Sequence, residues 1–454
     1  MAQWLSVVGG GTLSCMALKA DDDGRSRSPA TLPVYPFAMP GADVEVGNGE
    51  LHLDDHSGAG RIWMQTTGEV DFRWELSADQ YRSMRLGDAR IAFTHPALGS
   101  VDCPARITSS AGRGIIPSTQ LGDVAADLDH VLVHWMNIPS LYPAEVLSTE
   151  GNTWAGRWSG SGGGWAMTLD ARADHSAVAS MAKGTPFHVV THVGVLKRED
   201  GATCTPDEAS AALDAWHVAF SFYFGRWVAP SVAVGIDPDA ERVWEEWAWR
   251  RCDAWRDGYA WGDAHRGDDL RSYVSLFLAA WYDTDRHDRT RYVAHHIIEA
   301  NEATMTLEAR IMLVSAALEY LSWVSYVVTG KRTAKAHRAQ PRNAALNLRE
   351  LLVDAGIDPD IPNDLDVLRT LRTQRPQEVH DGPSALTWVR NRLVHPKDAG
   401  EPYRMRHLVL QSWQLVMHYG ELLLLRDLTY VGAFKQRFPL GGSAHGNSRP
   451  VPWV

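Results

Sequence analysis

The apolar pattern of this chain changes its period once, and that change decides the class of fold open to it. Between about residues 34 and 238, short runs alternate apolar and polar residues: Asp43-Val44-Glu45-Val46, Arg61-Ile62-Trp63-Met64, His130-Val131-Leu132-Val133-His134-Trp135 and Trp165-Ala166-Met167-Thr168-Leu169. Turn-forming stretches such as Gly47-Asn48-Gly49 and Ser159-Gly160-Ser161-Gly162-Gly163-Gly164 separate them. A side-chain period of two punctuated by turns predicts antiparallel sheet, closed as a sandwich or a curved barrel. After Thr306 the period becomes helical. Leu307, Ile311, Val314, Leu318 and Leu321 recur at three- and four-residue steps, which places them on one helix face. Further helices are predicted over Asn343–Ala355 (stopped by Gly356), Leu365–Leu371, Pro383–Val394 (halted by Pro396) and Tyr403–Leu428. Five helices with short connections make a bundle. The expected class is therefore α+β and multidomain: an antiparallel sandwich or barrel-like domain, then an all-α bundle.

The junction between the two periods is mixed. Phe187 to Gly194 reads as a buried strand. Thr205-Pro206-Asp207-Glu208 then opens a helix through Leu213, Trp216, His217 and Phe220: Thr caps it, Pro suits its first turn, and the acids suit its positive end. Residues 238–304 hold Trp244, Trp247, Trp249, Trp255, Trp261 and Trp281 with charges between them, and read as an extended segment followed by helix. The resulting division is a flexible 1–30, a β-rich 31–237, a Trp-rich helical connector 238–304, a helical bundle 305–432 and a flexible tail 433–454.

A length of 454 residues exceeds one ordinary core. The net charge of -11 argues against non-specific coating of nucleic acid, yet leaves room for a local basic pocket. Cys15, Cys103, Cys204 and Cys252 are too scattered for a zinc knuckle or a redox pair, and suit a reducing cytoplasm. Leu13-Ser14-Cys15 faintly resembles a lipoprotein processing site, but no basic residue precedes it and Gly9-Gly10-Gly11 breaks the apolar run, so export is not expected. No segment reaches the ~18 continuous apolar residues of a membrane span.

The residues that carry chemistry lie in Val389-Arg390-Asn391-Arg392-Leu393-Val394-His395-Pro396. RNA supplies its own nucleophile, the 2′-hydroxyl. Cutting it requires proton transfers, for which histidine is suited, and a hold on the phosphate, for which the planar fork of arginine is suited. Such a site needs neither metal nor cofactor. Asn391 and His395 are four apart, so on a helix they share a face, and Arg390 is long enough to reach the same cleft.

The pattern Arg-Asn-x-x-x-His at 390–395 resembles the signature of the HEPN superfamily of helical ribonucleases. Ala316-Ala317-Leu318-Glu319-Tyr320-Leu321 is similar to the acidic first helix of the ApeA-like HEPN group, which is linked to abortive infection and places a β-rich region before its bundle. Thr191-His192-Val193-Gly194 and Gly225-Arg226-Trp227-Val228 match that layout. The resemblance covers about residues 305–430 and is looser before them. It implies a HEPN bundle, a homodimer whose two motifs line one cleft, and a metal-independent endoribonuclease acting in antiviral defence. His395 would be its general base or acid, Arg390 its phosphate clamp, Asn391 an orienting residue, and Glu319 the carboxylate that holds Arg390 or His395. The β-region would sense a phage-derived trigger or restrain the nuclease. The alternative is a non-catalytic bundle used for dimerisation, with a β-sandwich that binds a ligand or partner. Arg and His also simply favour the negative end of a helix, and Glu319 could be a surface carboxylate. His188, His192, His217 and the His295-His296 pair read as packing residues rather than metal ligands, and the tryptophans as core rather than base-stacking platforms.

Overall fold

The computed structural model describes residues 44–454, apart from 54–55, 65–69, 75–85, 110–111, 150–151, 184–187, 257–258, 340–341, 397 and 439–447. The expectations for Leu13-Ser14-Cys15 and for the flexible first 30 residues fall outside the described residues.

The fold is mixed, β-rich in its first half and helical after it, as the change of period implies. The β-region is two units rather than one. Strands β1 (Val44–Leu53), β2 (His56–Met64), β3 (Val70–Trp74), β4 (Gly87–His95), β5 (Gly99–Ser109) and β6 (Arg113–Ile116) form a closed antiparallel barrel in the order β1-β2-β3-β6-β5-β4. Along β5, Val101, Cys103, Ala105 and Ile107 point inward while Asp102, Pro104 and Arg106 face water. The barrel closes where His52 of β1 pairs with Ala92 of β4. Alternation reads the same in a barrel and in an open sheet; only this non-local pairing ends one unit and starts the next.

The second unit is an antiparallel sheet of β7 (Thr119–Gly122), β8 (His130–Met136), β9 (Glu145–Thr149), β10 (Asn152–Gly162), β11 (Trp165–Ala171), β12 (Val190–Arg198), β13 (Pro230–Ile236) and β14 (Arg242–Trp247), in the order β7-β14-β13-β8-β12-β11-β10-β9. A short helix α1 (His175–Ala182) lies between β11 and β12. The sheet is covered on both faces. Met136, Val190, Val232, Val234 and Trp247 join the barrel's core. Val131, Val133, Trp135 and Trp158 pack instead with α2 (Pro206–Phe224), where the Trp135 ring meets Phe220 at 5.0 Å. Gly163 and Gly164, at φ 61° and 84°, make the turn between β10 and β11, the hairpin tip expected from the glycine run.

Helix α2 begins where the cap predicts. Thr205 Oγ1 accepts from Glu208 N at 3.3 Å, and Glu208 Oε2 accepts from Thr205 N at 2.9 Å. Gly225 ends the helix at φ 62°. Since α2 is buried along most of its length, Thr205→Ala should lower stability by about 1 kcal/mol, measurable as a shifted denaturation midpoint without change in slope.

The Trp-rich stretch is extended and then helical, as its sequence suggests, but its extended part is more than a connector. Its first part is β14, a full member of the sheet. The charges that obscured the strand are buried beside the tryptophans: Glu245 accepts from Trp247 Nε1 at 2.9 Å and pairs with Arg242, and Glu246 pairs with Arg250 at 2.8 Å. Its later part is α3 (Gly267–Tyr282) and α4 (His287–Ala300). Trp261 is fully buried against Phe222, Tyr223, Tyr273 and Tyr430, so it is core, as read.

The helical part continues with α5 (Leu307–Trp323), a π turn over Val324–Val328, and α6 (Ala334–Arg338), α7 (Ala344–Asp354), α8 (Asp366–Gln374), α9 (Gly382–Val394) and α10 (Leu408–Asp427). Helix α5 packs between α4 and α10. With its π turn it spans 22 residues and holds an 18-residue window of mean hydropathy 1.6, enough by length and composition to cross a membrane, and that window is only partly buried. The short α6 was not expected. The tail is not loose where it is described: β16 (Ser448–Pro450) pairs with β15 (Ala433–Lys435), Val451 is buried, and Trp453 Nε1 donates to Tyr430 O at 2.8 Å. A three-residue strand offers no periodicity to read.

Among the buried histidines, three illustrate the effect of burial on titration. Burial pushes His134 down to about 4, and His217 and His418 down to about 3. A histidine whose folded pKa is depressed leaves its stability intact above the unfolded value, and loses it as pH falls through the folded one. Stability should therefore decline between about pH 6.5 and pH 3, by about 1.4 kcal/mol per unit for each group at most. Urea midpoints from pH 7 to pH 4 would measure it. His418→Phe should flatten the slope; an unchanged slope would refute this account.

Candidate functional site

Helix α9 is fixed at its start. Asp381 caps its start: Ser384 N donates to Asp381 Oδ1 at 2.9 Å, and Asp381 N donates to Ser384 Oγ at 2.9 Å. Arg349 of α7 pairs with Asp381 and ties the two helices. Ala385, Leu386, Trp388 and Val389 bury one face of α9, which leaves Arg390 half-exposed on its flank.

Arg390 reaches toward α5. Its Nη2 lies 3.4 Å from Glu319 Oε1, and its Nη1 lies 3.5 Å from Asn391 Oδ1. Both contacts are long for charge-assisted bonds, and the buried Nε has no hydrogen-bond partner. The guanidinium is held loosely and retains capacity to donate. It lines a cavity of about 470 Å³ between α5, α6, α7 and α9, walled also by Glu319, Ser322, Trp323, His337, Arg338 and Arg342. Three arginines against one glutamate make this wall cationic, on a chain of net charge -11.

Of the four residues expected to act together, Arg390 and Glu319 meet on this wall. Asn391 stands beside Arg390 and is not part of the lining. His395 is not brought to the cavity. The helix ends at Val394, and His395 is its exposed C-cap at φ -127°, ψ 64°. The shared face expected for Asn391 and His395 required helix through position 395. Pro396 prevents it, because the proline ring disfavours helical geometry in the preceding residue. Arg392 is likewise withdrawn from the cavity: it pairs with Glu378 at 3.1 Å and Glu401 at 3.3 Å and lies over the Trp388 ring.

The sequence reading missed the imidazole that does line the cavity. His337 is buried, edge-on to the Trp323 ring at 5.5 Å, with its Nδ1 3.4 Å from Arg332 Nη1. Burial first, then the cations Arg332 and Arg342, hold it below the ordinary histidine value. The available signal was the basic run Lys331-Arg332-Thr333-Ala334-Lys335-Ala336-His337-Arg338, which has too few apolar residues to show a helical period. Elsewhere, His188, His192 and His217 are hydrogen-bonded within the protein. Among the described residues, no three His, Cys, Asp or Glu side chains gather as metal ligands.

Residues 123–258 match the YopA central domain, and residues 283–447 match the YopA C-terminal domain. The first covers most of the eight-stranded sheet with α2; the second covers the cavity and the 390–395 motif. The barrel lies outside both. The chain is 28% identical over 295 residues to the SPbeta prophage-derived uncharacterized protein YopA of Bacillus subtilis (strain 168). The match spans 64% of this chain and 64% of that relative's length. No solved structure matches this chain.

Proposed function

We propose that the chain is a metal-independent endoribonuclease of the HEPN type, acting in the cytoplasm in conflict between phage and host. The observation that carries this reading is the meeting of Arg390 and Glu319 on the wall of a cationic cavity between bundle helices. Glu319 orients the guanidinium, and the guanidinium holds the scissile phosphate. The 2′-oxygen bonds to phosphorus as its proton passes to an imidazole, and the bond to the 5′-oxygen breaks as that oxygen takes a proton. The products are a 2′,3′-cyclic phosphate and a 5′-hydroxyl. His395, exposed at the end of α9, is supplied by a second copy of the chain. On α5, half-buried Leu313 and Tyr320 flank exposed Ala316, an apolar stripe that supports such a pairing. The prophage origin of the relative supports the biological setting, and the β-region is the candidate sensor of a phage-derived trigger.

The displacement of His395 from the cavity favours the alternative of a non-catalytic dimerisation bundle with a ligand-binding β-region. Incubating the full-length protein with labelled RNA in EDTA separates the two. Endoribonuclease action yields cyclic-phosphate ends, and expression that slows growth with wild type but not with His395→Ala agrees with it. Intact RNA together with equal growth supports the alternative.

A further inference from the structure

The cavity beside Arg390 carries features that the 390–395 motif does not use. Ser322 is 2% exposed, lies on the cavity wall, and its Oγ has no hydrogen-bond partner. A buried hydroxyl left unpaired costs stability, and native proteins rarely tolerate it without a use. Arg390 Nε, also on this wall, is buried and unpaired. Arg338 is held at the rim with its guanidinium over the Trp323 ring at 4.5 Å. Arg342 is anchored by Glu350 at 2.5 Å, and Glu350 also takes Arg332 at 2.9 Å. The start of α7 opens on the same space through Asn343 and Ala344. Asn343 Oδ1 already accepts from Leu346 N at 2.9 Å, and the N–H groups ahead of it have no helical acceptor and favour an anion.

We propose that this cavity is a binding site for the phosphate of a nucleotide, held by Arg338, Arg342, Arg390, the Ser322 hydroxyl and the N-terminus of α7. The class of ligand rests on the endoribonuclease reading; the anion does not. Arginine forks match phosphate oxygens in pairs, and 470 Å³ lies in the usual range for a small-molecule site, about 300–1,000 Å³. The phosphate is borne either by a free mononucleotide or by an RNA strand.

The test is calorimetric titration of the full-length protein with adenosine monophosphate, with a short oligoribonucleotide methylated at every 2′-oxygen to prevent cutting, and with inorganic phosphate. At least one nucleotide ligand should bind more tightly than inorganic phosphate. Tighter binding of the oligonucleotide assigns the site to an RNA strand; tighter binding of the monophosphate assigns it to a free nucleotide. Arg338→Glu, at an exposed position, should weaken binding by about tenfold or more. Lys335→Glu, exposed on the same helix but outside the cavity lining, should change it by less than about twofold. Ser322→Ala should weaken binding without lowering the melting temperature, since it removes an unpaired hydroxyl. Equal effects of the Arg338 and Lys335 substitutions, no binding of any ligand, or no preference over inorganic phosphate would each overturn the proposal. Binding that depends on Arg338 in a protein that never cuts RNA leaves this site standing and removes the nuclease. Cutting that ignores Arg338→Glu does the reverse.

Discussion

Arg390→Ala is expected to lower RNA cleavage in EDTA by about 10²–10³-fold, the usual cost of deleting one preorganised charge-stabilising donor. Arg390→Lys should recover only part of this, because an ammonium keeps the charge and loses the two-pronged geometry. His395→Ala should cost about 10²–10⁴-fold, the range for a general acid or base. His395 is exposed, so its removal should leave the melting temperature unchanged and the loss cannot be blamed on unfolding. The proposed twin-subunit arrangement adds a sharper expectation. A mixture of Arg390→Ala and His395→Ala subunits should regain activity, since a heterodimer holds one site with both groups. If Arg390→Ala cuts RNA as fast as wild type, the reaction does not use this cavity.

Glu421→Ala should destabilise the protein by about 3–5 kcal/mol, the cost of stranding a buried charge. Glu421 of α10 and Arg437 beyond it are both 2% exposed and pair through two contacts, at 2.9 Å and 2.5 Å. Arg437 also donates to Asn301 Oδ1 at 3.1 Å, at the end of α4, and its guanidinium lies over the Trp413 ring. This cation thus fastens the segment after α10 to two bundle helices. Without its partner it remains buried with only an amide to satisfy it. The double replacement Glu421→Leu with Arg437→Met should be far milder, because it removes both charges together. Chemical denaturation measures both variants. A loss below about 1 kcal/mol for Glu421→Ala would mean that the guanidinium escapes to water, and that the tail is anchored by β15, β16 and Trp453 instead.

What could be read from the chain follows from how local each signal is. Thr205 to Glu208 holds its cap within four residues, so α2 was legible to its first turn. Asn343 and Gly356 bracket α7 in the same way. β14 was read only as an extended segment and not as a strand of the sheet, because Glu245 and Glu246 interrupt its apolar pattern and find their partners at Arg242 and Arg250. Arg390 and Glu319 were singled out from separate helices, and the fold brings them within 3.4 Å. His395 was placed by helix geometry that its own neighbour Pro396 forbids, a correction the sequence already contained.

The sequence by itself determined the β-then-α order, the starts and stops of the main helices, and the residue types that a phosphate site would need. Each depends on neighbours a few positions apart. Tertiary structure alone decided that the β-region closes into a barrel plus a sheet buried on both faces, that the tail returns to pair with β15, and that Ser322, His337, Arg338 and Arg342 share a cavity with Arg390. Those outcomes come from pairing and packing between residues tens of positions apart, and no local period or cap encodes which distant surfaces will meet.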